Sequence, residues 1–217
     1  MLERFRGFWT AIIAPLAKFF LRLGISPDAV TIVGTFGVCA GALVFFPQGR
    51  LFAGVMFITA FVFSDLIDGH MARLSGRTTR FGAFLDSTLD RVADGAIFAG
   101  LALYFASPHG DELIELGSPH LYQVLCLIAL VMGSVTSYVR AKAESLGMTA
   151  QVGIAERATR LVFTLVATGV AALFGLPYLI EAVLWFMAVT TTITVGQRIW
   201  EVRKQCIAEV AAQDASA

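Results

Sequence analysis

Six long apolar stretches alternate with short polar breaks, at about 29–46, 51–73, 81–105, 121–141, 158–174 and 178–197. Each approaches the roughly 20 residues that a helix needs to cross about 30 Å of hydrocarbon. The breaks are abrupt. Pro47-Gln48-Gly49-Arg50 and Gly175-Leu176-Pro177 read as tight turns. Residues 74–80 (LSGRTTR) are polar, two prolines lie between Ser107 and His120, and 142–157 is polar and punctuated by glycine. The runs are too long and too uniformly apolar for barrel strands. The pattern predicts an all-α integral membrane protein with six transmembrane helices.

The first 25 residues follow a different rule. Arg4, Arg6, Lys18 and Arg22 alternate with Phe5, Phe8, Trp9, Ile12, Ile13, Leu16, Phe19 and Phe20. That spacing predicts a basic amphipathic helix lying on the membrane surface. A signal peptide fits badly, because Pro15, Lys18 and Arg22 interrupt any apolar core. With six spans, both termini share one side. Grouping the loops accordingly puts fourteen of the sixteen Lys and Arg residues on that side. By the positive-inside rule both termini face the cytoplasm, as in a multi-pass protein of the plasma membrane. Residues 1–217 read as one membrane-embedded domain, with 205–217 expected to form a flexible tail.

Composition narrows the function. The chain is 57% hydrophobic and 15% charged, with mean hydropathy +0.76. Its formal net charge of +0 gives no reason to expect a nucleic-acid partner. Cys39, Cys126 and Cys206 form no CxxC, and the three histidines form no HExxH. Zinc and disulfide chemistry are therefore not expected.

The informative residues are acids inside apolar helices, where each costs about 2.5–3.5 kcal/mol on insertion scales. Asp65 and Asp68 are three apart, and Asp86, Asp90 and Asp94 are four apart, so each set shares a helix face. Asp68 precedes Arg77 by nine residues and Asp86 follows it by nine. In an antiparallel hairpin such positions lie at equal depth, so Asp68 is expected to face Asp86 and Asp65 to face Asp90. Gly69, Ala72, Gly82 and Ala83 would let the two backbones approach. Four adjacent carboxylates need neutralising charge. Two Mg²⁺ or Mn²⁺ ions suit all-oxygen donors and phosphoryl-transfer chemistry. Ion pairs with Arg73, Arg80 and Arg91 are the alternative.

Residues 65–90 read Asp65-x2-Asp68-Gly69-x2-Ala72-Arg73-x8-Gly82-x3-Asp86-x3-Asp90. This resembles, at every fixed position, the signature of the CDP-alcohol phosphotransferase family. The segments from Ile13 to Gly41, from Ser137 to Ala141 and from Gly153 to Arg157 are similar to the branch whose acceptor is inositol phosphate. The resemblance implies that CDP-diacylglycerol and an alcohol give a phospholipid and CMP. It implies Asp65, Asp68 and Asp86 as metal ligands and Asp90 as both ligand and general base. It also implies that Asp28, Ala29, Val30, Thr31, Gly69, Arg73 and Thr79 bind CDP-diacylglycerol, and that the protein is a homodimer. Gly69 would leave room for the nucleotide, and Arg73 would offer its pyrophosphate a bidentate fork.

A phosphorylated acceptor needs cations. Arg140, Arg157 and Arg198 come from three different spans or their edges and are expected to converge on its phosphate. Charge does not separate inositol phosphate from glycerol 3-phosphate, which would give phosphatidylglycerophosphate. Interfacial anchoring is the alternative role for these arginines. A cation-coupled transporter using the acids as a relay is a further alternative, without the internal repeat such folds show.

Overall fold

Short polar residues set the helix starts that the breaks announce. Ser26, Thr79 and Ser118 each accept a hydrogen bond from the backbone N–H three residues on, at 3.2, 2.9 and 3.4 Å. Proline at the first helical position follows Ser26 and Ser118. Gly49, Gly76 and Gly175 close helices with φ of 74°, 63° and 62°, the left-handed cap that glycine adopts without strain.

A computed structural model of the chain describes residues 14–76, 79–154 and 156–216, without the side chains of 64–66, 215 and 216. Among the described residues the structure is helical, with no strand. Helix α1 covers 14–22. Helix α2 (Pro27–Ala40) continues through a π turn (Gly41–Phe45) and a 3₁₀ turn (Phe46–Gln48). Then follow α3 (Leu51–Val62), α4 (Ser64–Ser75), α5 (Arg80–Ala106), α6 (Pro119–Ser145), α7 (Arg157–Phe174) and α8 (Pro177–Ser216). Phe63, between α3 and α4, keeps helical angles of φ −65° and ψ −18°.

Among the described residues, five lengths are long and apolar enough to cross a membrane: Pro27–Gln48, Leu51–Ser75, Pro119–Ser145, Arg157–Phe174 and Pro177–Asp214. The chain is a membrane protein. Helix α5, with 27 residues, has a span's length of about 40 Å but carries Asp86, Asp90, Arg91 and Asp94 between its first turn and its middle.

α5 packs on α2 and α6, α8 packs on α6 and α7, and α3 packs on α2 and α7. Phe46, Leu51, Ile58, Ile97, Leu101, Tyr104, Tyr122, Ile180, Leu184 and Met187 fill the interior. The π turn lies where α5 comes closest. A Cβ on Gly100 would sit 2.5 Å from the Ala42 carbonyl oxygen, so only glycine lets the two backbones meet there.

Two expectations are corrected. α4 and α5 are not close antiparallel neighbours. Among the described residues they make almost no direct contact, and both pack on α2. A Cβ on Gly69 would meet nothing within 4 Å, and one on Gly82 would meet Thr79 and Asp28 rather than α4. The small residues therefore face α2 or open space instead of each other. The segment after Lys204, expected to be loose, is helical through Ser216. Gln205 fastens it by exchanging hydrogen bonds with the Thr149 backbone, at 2.9 and 2.6 Å. Of the expected N-terminal surface helix, residues 1–13 lie outside the described residues.

Candidate active site

The first turn of α2 forms the wedge between the two motif helices. Thr31 Oγ1 donates to Asp68 Oδ2 at 2.5 Å, and both residues are less than a tenth exposed. On its other side, the Asp28 carboxylate comes within 3.3 Å of where a Cβ on Gly82 of α5 would lie. Ala29 and Val30 lie half-buried in this turn, while Thr79 caps α5 and Arg73 is exposed at the end of α4. The nucleotide-binding candidates thus lie on the first turn of α2, on α4 and at the start of α5.

Asp90 pairs with α7. Its Oδ1 meets Arg157 Nη2 of α7 at 2.7 Å, and its Oδ2 lies 3.7 Å from Arg91 Nη2. Arg91 also donates to Ser137 Oγ of α6. One turn further along α5, Asp94 Oδ2 accepts from Arg160 Nη2 at 2.7 Å, and its Oδ1 lies 3.4 Å from Arg157 Nε. Asp86 is exposed, and the side chain of Asp65 lies outside the described residues. Among the described residues, no three acidic, histidine or cysteine side chains come together as a ready-made metal cage. Asp68 bonds to Thr31 of α2, and Asp90 to Arg157 of α7. Of Arg73, Arg80 and Arg91, the alternative ion-pair partners, Arg91 lies 3.7 Å from Asp90, and closer pairings of Asp90 and Asp94 come from α7, more than sixty residues further along the chain.

A small cavity joins these parts. Its lining includes Thr31 and Thr35 of α2, Asp90 and Ala93 of α5, and Arg157 and Leu161 of α7.

The three arginines expected at the acceptor phosphate have different surroundings. Arg157 is held by Asp90. Arg140 is half-exposed and donates to Glu144 at 2.9 Å. Arg198 is 8% exposed, and its Nε and Nη1 donate to the carbonyls of Val152 and Thr136 at 2.9 and 2.6 Å. Arg140 and Arg198 are near enough for their charges to interact. Arg198 thereby ties the α6–α7 loop to α8. The same loop is pinned at Gly153, whose φ of +131° and contact with Thr194 exclude a side chain. Ile154 N also donates to Thr194 Oγ1 at 3.2 Å. This fixes the entry to α7 and hence Arg157.

Sequence reasoning missed Glu181, which is 4% exposed and accepts from the N–H groups of Glu115 and Leu116 at 2.7 and 2.9 Å. It staples the loop at the opposite end of the molecule from Arg157. Its signal was an acid within an otherwise apolar helix.

Comparison with known proteins agrees with this arrangement. Residues 24–195 match the family described as CDP-alcohol phosphatidyltransferase. A phosphatidylinositol phosphate synthase from Streptomyces avermitilis is 49% identical over 229 aligned residues, covering 100% of this chain and 89% of that protein. The phosphatidylinositol phosphate synthase of Cutibacterium acnes is 46% identical, covering 95% of this chain and 99% of that protein. Crystal structures of the Mycobacterium tuberculosis phosphatidylinositol phosphate synthase share the fold at 41% identity. The form with bound CDP-diacylglycerol aligns with a TM-score of 0.81, covering 88% of this chain and 94% of that one. The form in complex with manganese and citrate aligns with a TM-score of 0.80, covering 88% of each. A transporter reading has no support among these relatives. The chain is a transferase and belongs to the CDP-alcohol phosphatidyltransferase family.

Proposed function

We propose that this protein transfers the phosphatidyl group of CDP-diacylglycerol to inositol 1-phosphate (1D-myo-inositol 3-phosphate), releasing CMP. The observation that carries this reading is the 2.7 Å pairing of Asp90 with Arg157 over one cavity. A proton acceptor and a cation able to hold a phosphate stand side by side, as an anionic alcohol requires. The names of the full-length relatives support the same acceptor.

Asp65, Asp68, Asp86 and Asp90 would hold two Mg²⁺ or Mn²⁺ ions. The donor chemistry fits: the side chains offer only hard carboxylate oxygens. Thr31 and Arg157 hold the Asp68 and Asp90 carboxylates in place by one oxygen each. When bound, the ions would supply Lewis-acid stabilisation to the pyrophosphate and the departing CMP.

The chain's own residues do the rest. Gly69, open to space, and the α2 turn from Asp28 to Thr31 receive the nucleotide, with Thr79 at the start of α5. Arg73 holds the pyrophosphate from the exposed end of α4. Arg157, Arg140 and Arg198 hold the acceptor phosphate. Asp90 takes the proton of the acceptor hydroxyl, whose oxygen attacks the β-phosphorus in line. The new P–O bond forms as the bond to CMP breaks, and CMP leaves with that electron pair.

α5 completes a set of six spans of the plasma membrane, with Lys18 and Arg22 of α1 on its cytoplasmic side. The active site faces the cytoplasm, where CMP and inositol phosphate are soluble. The working unit is a homodimer.

A CMP-release assay on purified protein tests the reading. CDP-diacylglycerol is supplied with inositol 1-phosphate, inositol, glycerol 3-phosphate or serine in turn, with and without EDTA. Release with inositol 1-phosphate, abolished by EDTA and restored by Mg²⁺ or Mn²⁺, is expected. Turnover with glycerol 3-phosphate and none with inositol 1-phosphate overturns the acceptor. Full activity in chelator overturns the metal chemistry.

A further inference from the structure

We propose that Asp94, outside the family motif, is a positioning residue that gives Arg157 a second carboxylate and so poises it for the acceptor phosphate; this rests on the transferase reading above.

The four side chains form a zigzag between α5 and α7: Asp90, Arg157, Asp94, Arg160. The acids are four apart on α5 and the arginines three apart on α7, so both pairs share a face. Burial grades along the zigzag. Side-chain exposure is 28% at Arg157, 12% at Asp94 and 3% at Arg160. The inner end is therefore fixed. Arg160 packs against Gly133 of α6, with its Nε 3.5 Å from where a Cβ there would lie. Its 2.7 Å bond holds Asp94 Oδ2, which turns Oδ1 toward Arg157 Nε.

Arg157 is the outermost member of the zigzag's cationic pair, and its two edges do different work. A guanidinium is a rigid fork with five donors. The Nη edge meets Asp90 at 2.7 Å, and the Nε edge faces Asp94 at 3.4 Å. An arginine paired with Asp90 alone would have two poor choices. It would either mask the carboxylate that must take a proton, or swing away unanchored. With Asp94 behind it, the Nη edge can leave Asp90 for a phosphate while the Nε edge tightens on Asp94. Binding of the anionic acceptor then uncovers Asp90 in the same movement. A nearby carboxylate also keeps the guanidinium from binding a phosphate too tightly to release it.

Kinetics of Asp94→Asn, with each substrate varied separately, tests this. The KM for inositol 1-phosphate is expected to rise about tenfold or more, the scale of one charge-assisted hydrogen bond, with the KM for CDP-diacylglycerol within about twofold of wild type. Asp94→Asn leaves the buried Arg160 without its carboxylate. Should the variant fail to fold, Asp94→Asn with Arg160→Gln removes both charges together and is read in the same way. Unchanged kinetics, or an equal rise in both KM values, overturns the proposal. The wild type is assayed alongside. If it uses glycerol 3-phosphate in place of inositol 1-phosphate, the acceptor assignment fails, and Asp94 must still show the same split with that anion. If the wild type uses only an uncharged alcohol, the transferase family stands and the role of Asp94 falls.

Discussion

Replacing Thr31 by valine separates two roles for the first turn of α2: contact with the nucleotide, or support of Asp68. The substitution keeps the branched shape and removes one hydroxyl. In the structure that hydroxyl donates to Asp68 Oδ2 at 2.5 Å. The residues are 8% and 7% exposed, so water cannot readily take its place. A hydrogen bond to a charged group contributes about 1.5–3 kcal/mol, and burial at both ends places this one in the upper half of that range. At 1.4 kcal/mol per decade, about 2–3 kcal/mol is about a 30- to 150-fold effect. If Asp68 is a metal ligand oriented by Thr31, the loss appears in metal affinity, where outer partners of ligands are worth about 10- to 100-fold. The assay is a Mn²⁺ titration of purified protein followed by electron paramagnetic resonance, with the KM for CDP-diacylglycerol measured in parallel at saturating metal. A clear weakening of Mn²⁺ binding with a KM near wild type is expected. Unchanged Mn²⁺ affinity with a raised KM would refute the reasoning and make Thr31 a direct nucleotide contact.

Three further outcomes follow from the structure. Asp90→Asn should abolish turnover while retaining CDP-diacylglycerol binding, and Arg73→Ala should raise the KM for CDP-diacylglycerol; a near-normal rate in Asp90→Asn would put the base elsewhere. Gly100→Val should lower the melting temperature by several degrees, since its Cβ would press on the Ala42 carbonyl and overpacking costs about 1–3 kcal/mol; an unchanged melting temperature would mean that α2 and α5 can separate there freely.

Local information decided the helices. Apolar runs of span length, Ser and Thr before Pro or Gly, and glycines at helix ends depend on neighbours a few residues apart, so 27–48, 51–75, 119–145 and 157–174 were legible within a few residues of their observed limits. The motif was legible for the same reason: its eight fixed positions lie within 26 residues of sequence, and residue type alone indicates oxygen ligands and phosphate chemistry. What the pattern could not supply was which helix stands beside which. α4 and α5 follow one another along the chain, but both pack on α2, where Thr31 satisfies Asp68 and Gly37 admits Phe61 of α3. Counting from a turn gives depth along a helix and says nothing about a third helix inserted between two others. The pairing of Asp94 with Arg160, 66 residues apart, was hidden for a similar reason. The six-span reading groups fourteen basic residues on one side, and sequence cannot tell those that anchor the chain from those that meet a buried acid. Only packing made that distinction. It buried Arg160 and Arg198, left Arg140 exposed, and set Arg157 against Asp90 where the reaction would occur.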